Sequence, residues 1–191
     1  LDRLLQQVRA SEQVEIRNTT EERGVIVLAG PRARDVLGSL TDASLENAAF
    51  PWRSAQEIGI AGVATLALRI NYVGELGWEL HPAMADLPSL YAAIWAAGEA
   101  HGIADFGLYA LNSLRMEKAY RGWGAELTNE VTMLEADMAR FFGSGKEDFV
   151  GKAATETGEA GPLRLVYFEV DAENADVRGG EPIFLNDTCI G

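Results

Sequence analysis

A chain of 191 residues with 29 acidic side chains against 16 basic ones, net charge −13, lacks the cation excess that nucleic acid phosphates require, and no nucleic-acid partner is expected. No apolar run approaches the roughly 20 residues that span a bilayer. The N-terminus also lacks the charged-then-apolar order of a signal peptide, so no membrane partner and a reducing, cytoplasmic location are expected.

Residues 1–9 (LDRLLQQVR) read as the tail of a helix and QVEIRNTT as a strand ending in a polar turn at Asn18, Thr19 and Thr20. GVIVLAG, 24–30, is a β-branched run typical of a buried strand. Pro31 follows it, a residue favoured at a first helical position, and Ala33, Val36, Leu37 and Leu40 keep helical spacing. FPW at 50–52 reads as a packed loop. QEIGIAGVATLALRINYV then predicts two strands joined at Ala61-Gly62, and GWELH a third, giving an antiparallel meander over 56–81. GELG between them is a hairpin turn with glycines at positive φ, since a strand rather than a helix follows it.

ADLPSLYAAIWAAGEAHG is the clearest helix, with Leu87, Leu90, Tyr91, Ile94 and Trp95 on one stripe, Asp86 as N-cap and Gly102 as stop. A second helix is predicted over 107–120. RGWGAELTNEV and GSGKEDFVGK lack periodicity, and TETGEAGP reads as a linker. LRLVYFEV from 163 and the Gly179-Gly180 turn predict a new β-domain, with PIFLNDTCI as one arm of a strand pair cut at its turn. The start at Leu1 without methionine and this abrupt end suggest a piece of a longer protein. The expected fold class is α+β, antiparallel sheets with packed helices over 1–160, followed over 161–191 by the start of a second, β-rich domain.

Cys189 is the single cysteine and His81 and His101 the two histidines, so neither an internal disulfide nor a metal site is expected. The same scarcity leaves no Ser/His/Asp or Cys/His arrangement. Glu79 is harder to explain. Period two places Trp78 and Leu80 on one strand face and Glu79 with His81 on the other. There Glu79 is either solvated or facing a cavity. In a cavity its carboxylate can accept two parallel hydrogen bonds from a planar N–H and NH₂ edge, as on a pteridine, with Tyr72 near enough to stack.

The order GPRARDVL, RINYVGELGWELH, FGLYALNSLRMEKAYRGWGAELTNE, LEAD and DFVGK resembles the glycine-cleavage aminomethyltransferase (T-protein) family. GELGWE and NSLRMEK are closest to the folate-binding C-terminal portions of dimethylglycine and sarcosine dehydrogenases. The resemblance implies parts of a three-domain cloverleaf with ferredoxin-like elements and a C-terminal β-barrel-like domain. It also implies tetrahydrofolate as cofactor, and a methylated amine as donor of the one-carbon unit. FAD is implied only where a dehydrogenase is fused upstream, and a lipoyl carrier protein only for a true T-protein. Alternatives within the resemblance are a demethylase of another methylated substrate and a non-catalytic folate-binding or structural module of a fused flavoprotein. Tyr72 and Glu79 match the pterin-lining Tyr and Glu of the family. A folate-binding Arg of T-proteins corresponds to Leu111 here, with Arg115 one helical turn on, and Arg140 stands where some relatives carry a folate-contacting aromatic. The family's catalytic Asp would lie upstream of Leu1, so the catalytic residue is unknown, and a further substrate-side Arg would lie beyond Gly191.

Overall fold

Four antiparallel strands carry the first half of the chain in the order β1-β4-β3-β2: β1 Ile26–Ala29, β2 Ala55–Ile60, β3 Val63–Leu68 and β4 Gly77–Pro82. The computed structural model describes residues 6–8, 11–143, 145–158, 161, 163–174 and 177–191. The chain divides into two compact units, Leu1–Arg121 and Gly122–Gly191. The fold is mixed α+β, with antiparallel strands and packed helices.

In the first unit, Gly30 at φ 127 ends β1 and Pro31 leads into helix α1 (Ala33–Gly38), as the Gly-Pro turn predicts. Ala61 and Gly62, both at positive φ, form the two-residue turn between β2 and β3. One sheet face buries Leu28, Ile58, Ile60, Ala67, Trp78 and Leu80 against α1 and helix α2 (Leu87–Gly98). Phe50 of the FPW loop is fully buried and meets Trp78 edge-on, ring centroids 6.2 Å apart. Gly102 at φ 71 stops the α2 segment where the sequence places the stop. Asp86 precedes α2, but its side chain makes no capping bond. Helix α3 is Leu108–Glu117.

Two expectations change in the first unit. QVEIRNTT forms no strand: Val14 is exposed, and Asn18 Oδ1 instead accepts the Thr20 N–H and hydroxyl to build a turn. β3 ends at Leu68 rather than running through RINYV, because Asn71 organises the following loop. The expected helix over 1–9 falls largely on residues outside the described set, and 6–8 are not helical.

The second unit is built mostly of turns, and Glu135 and Ala136 are its buried residues among those described. TMLE forms a capping box, with Thr132 N–H donating to Glu135 Oε2 at 2.8 Å and Glu135 N–H to Thr132 Oγ1 at 3.2 Å. Helix α4 spans Lys152–Thr157 and so takes up the start of the expected linker. LRLVYFEV runs without a strand partner among the described residues. PIFLNDTCI forms both arms of a hairpin, β5 Phe184–Leu185 with β6 Thr188–Cys189, around Asn186 and Asp187 at φ 46 and 62. Among the described residues it closes no barrel. The expected 160/161 division falls inside this unit, where Leu165 N–H donates to Glu135 carbonyl at 3.0 Å.

Candidate functional site

Glu79 lies on the sheet face opposite the core, as the strand period predicts. Its directly opposite neighbours are Val27 on β1 and Leu68 on β3, so a carboxylate stands between two apolar side chains. It is half-buried, with 27% of its side chain exposed, and its Oε2 lies 3.5 Å from His81 Nε2. His81 in turn faces Leu66 across the ladder. A carboxylate on such a floor is weakly hydrated, which strengthens any hydrogen bond it accepts from a ligand.

The loop from Arg69 to Leu76 brings Tyr72 to the end of this sheet. Asn71 sets its shape: Oδ1 accepts the N–H groups of Val73 (3.1 Å) and Gly74 (2.9 Å), and Nδ2 donates to Glu75 carbonyl at 2.5 Å. This is an Asx turn, and an Asn three residues before Gly74 is the signal that could have revealed it. Tyr72 stacks on Tyr120, centroids 6.2 Å apart, and its hydroxyl donates to Arg121 carbonyl at 2.5 Å. Glu75 pairs with Lys118 at 3.5 Å across the loop.

Arg115 is buried, and its guanidinium turns inward. Nε and Nη2 donate to Asn112 Oδ1 at 2.9 and 2.7 Å, and Nη1 donates to Tyr120 carbonyl at 2.9 Å. It therefore fixes the turn that carries Tyr120, the residue beneath Tyr72. Arg140 belongs to the second unit, where it is exposed with its guanidinium 4.9 Å from the Phe141 ring centroid. An open groove of about 340 Å³ runs along β1, walled by Ile94, Trp95, Phe106 and Leu111. Neither Tyr72 nor Glu79 lines it, but it shares Val27 with the surface around Glu79. Tyr91 sits at its margin, and a 2.8 Å hydrogen bond to Asp105 raises its phenol pKa above the ordinary value. No cluster of three metal-ligating side chains occurs among the described residues, and no helix among them is long and apolar enough to cross a membrane.

The model of the GCVT N-terminal domain matches residues 1–146. The chain belongs to the GCVT N-terminal domain family. "Dimethylglycine dehydrogenase, mitochondrial" of Mus musculus is 41% identical over 186 residues, 96% of this chain and 21% of that protein. "Sarcosine dehydrogenase, mitochondrial" of Mus musculus is 38% identical over 181 residues, 93% of this chain and 20% of that protein. The aminomethyltransferase of Listeria welshimeri serovar 6b is 37% identical over 191 residues, 98% of this chain and 51% of that protein. This GCVT N-terminal domain chain thus spans about a fifth of the length of the dehydrogenases and about half that of the aminomethyltransferase. The family expected from the ordered motifs is the family found.

Proposed function

We propose that this chain is the folate-holding part of a one-carbon transferase, with Glu79 accepting the N–H and NH₂ edge of a tetrahydrofolate pterin. The observation that carries this reading is Glu79 itself, half-buried on the open sheet face between Val27 and Leu68. A solvated surface acid has no need of apolar neighbours on both sides. A flat heterocycle does, because its rings cover the apolar side chains while its polar edge meets the carboxylate. A carboxylate, an aromatic ring in the loop that leads into β4, and an apolar floor are the residue types that a pterin takes.

The groove beside Val27 offers a path for the aminobenzoyl arm that extends from a pterin. When bound, tetrahydrofolate supplies the N5 amine that takes up a one-carbon unit from a methylated amine. Tyr72 acts by orientation, since its hydroxyl is engaged by Arg121 and its ring is backed by Tyr120. Arg115 acts through Tyr120 as a positioning residue, and family membership supports the chemistry as a whole. Arg140 remains a proposed folate contact on the resemblance alone. FAD enters this proposal only with a fused upstream dehydrogenase, and a lipoyl carrier protein only for a true T-protein.

Calorimetric titration of the full-length protein with tetrahydrofolate tests the reading. Glu79→Gln keeps one acceptor and loses the charge. It is expected to weaken binding about 10- to 100-fold, as for a lost charge-assisted hydrogen bond. Equal affinity in the two proteins would remove Glu79 from the pterin site.

A further inference from the structure

Arg34 of α1 and Arg69 at the end of β3 converge on one atom. Arg34 Nη2 donates to Asn47 Oδ1 at 2.8 Å and Arg69 Nη2 donates to the same oxygen at 2.7 Å. Two guanidinium cations thus face each other across a neutral amide. Among the described residues neither has a carboxylate within ion-pair reach, in a chain whose acids far outnumber its bases. Arg69 is 9% exposed, and the Nε atoms of both arginines are buried without a hydrogen-bond partner. Arg69 also donates to Phe50 carbonyl at 2.5 Å and lies 5.8 Å over the Trp78 ring, so packing holds one side of the pair rigid. Asn47 is exposed, so the point where the two guanidinium groups meet is open to solvent on its side.

We propose that Arg34 and Arg69 form a binding site for a small oxyanion, a phosphate or carboxylate group, at the point that Asn47 Oδ1 marks. Such a group supplies the missing negative charge and enough lone pairs to accept from both planar forks at once. A neutral amide oxygen satisfies the geometry of the two donors but not their charge. The site is separate from the surface around Glu79, because Trp78, on which Arg69 stacks, faces the core and Glu79 faces away from it.

Thermal unfolding of the full-length protein in inorganic phosphate and in acetate, each against sodium chloride of equal ionic strength, tests the proposal. A saturable rise in Tm of about 4 °C is expected in at least one of the two anions. Which anion acts distinguishes a phosphate site from a carboxylate site. Phosphate also stabilises proteins generally by exclusion from their surface, so the deciding comparison is Arg34→Gln, which should lose the saturable part. Asn47→Asp should raise Tm without added anion and stop responding to it, since its own carboxylate then fills the gap. Should Arg34→Gln unfold, the Arg34 Nε–H resonance of the native protein supplies the readout, moving saturably with the anion. A response retained in Arg34→Gln, an unmoved resonance, or an Asn47→Asp protein no more stable than its parent would each overturn the site.

Discussion

Gly74 and Gly77 sit three residues apart in one passage of chain, and different physics requires each. Gly74 has φ 75, the left-handed conformation of a turn. Gly77 has no positive φ; a Cβ there would meet Leu28 carbonyl at 2.5 Å and Ala29 Cα at 2.9 Å, so its smallness lets β1 and β4 pair. Gly77→Ala is therefore expected to cost about 2 kcal/mol by forcing the strands apart, and Gly74→Ala about 1 kcal/mol through backbone strain, the Lys118 side chain that its Cβ would meet moving aside. Denaturant unfolding followed by the summed fluorescence of the four tryptophans measures both, and a smaller loss at Gly77 than at Gly74 would count against the close-approach account. The sequence alone assigns both glycines to the turn, because residue type reveals permissiveness but not which constraint uses it. Glu79 shows the same division. Its face follows from the alternation with Trp78 and Leu80, which is local. Its neighbours Val27 and Leu68 lie 52 and 11 residues away in the chain, and only the strand register brings them together. Arg115 is legible as a cation on α3, yet its inward turn depends on Asn112 and Tyr120, which no spacing rule selects.

At the scale of elements, the helix α2 tests how well an apolar stripe predicts burial. Of the five residues on its stripe, Leu90 and Ile94 are buried, whereas Tyr91 is 42% exposed, stacked on Trp95 and bonded to Asp105. The stripe is wider than the core contact, and its outer margin lines the groove along β1. Leu90→Ala should thus lower stability by about 3 kcal/mol through the cavity it leaves. Tyr91→Ala should lower it clearly less, since its ring and its hydrogen bond to Asp105 are both partly solvated. Comparable losses at the two positions, read from denaturant midpoints at constant slope, would mean that Tyr91 belongs to the core after all. The strands β1 to β4 and the helices α1 to α3 are legible because their periodicity and turn glycines agree. QVEIRNTT and LRLVYFEV alternate equally well, but a strand also needs an unpaired edge in register, and alternation carries no information about that. The Asn186-Asp187 turn is readable in type, though its hairpin is complete where the sequence suggests a severed arm.

Across the whole molecule, pH acts on the two units from opposite ends. In the second unit two carboxyl groups are held below the usual carboxylate pKa. Glu135 is lowered by hydrogen bonds from Thr132, and Glu181 by the N–H groups of Arg178 and Gly179, each at 2.8 Å. A group whose folded pKa is depressed stabilises the fold above its unfolded pKa, and that contribution disappears as pH falls through the folded value. The first unit carries the opposite case in Tyr91, whose phenol is raised by its bond to Asp105. Its contribution is complete below the ordinary tyrosine pKa and disappears as pH rises through the folded value. Acid should therefore loosen the second unit first, which has little apolar burial to resist it. Alkali should weaken the first unit near α2. Trp78 is fully buried in the first unit, so its fluorescence, read in a protein with Trp52, Trp95 and Trp123 replaced by Phe, reports the first unit alone. On acidification below the carboxylate range, amide protection at Thr132, Glu135 and Leu165 is expected to collapse while the Trp78 emission stays blue-shifted. Glu135→Gln should remove most of that acid dependence, leaving protection in this segment nearly flat with pH. Simultaneous loss of Trp78 emission and of the Glu135 segment on acidification would show instead that the two units unfold as one, whatever the direction of their individual pKa shifts.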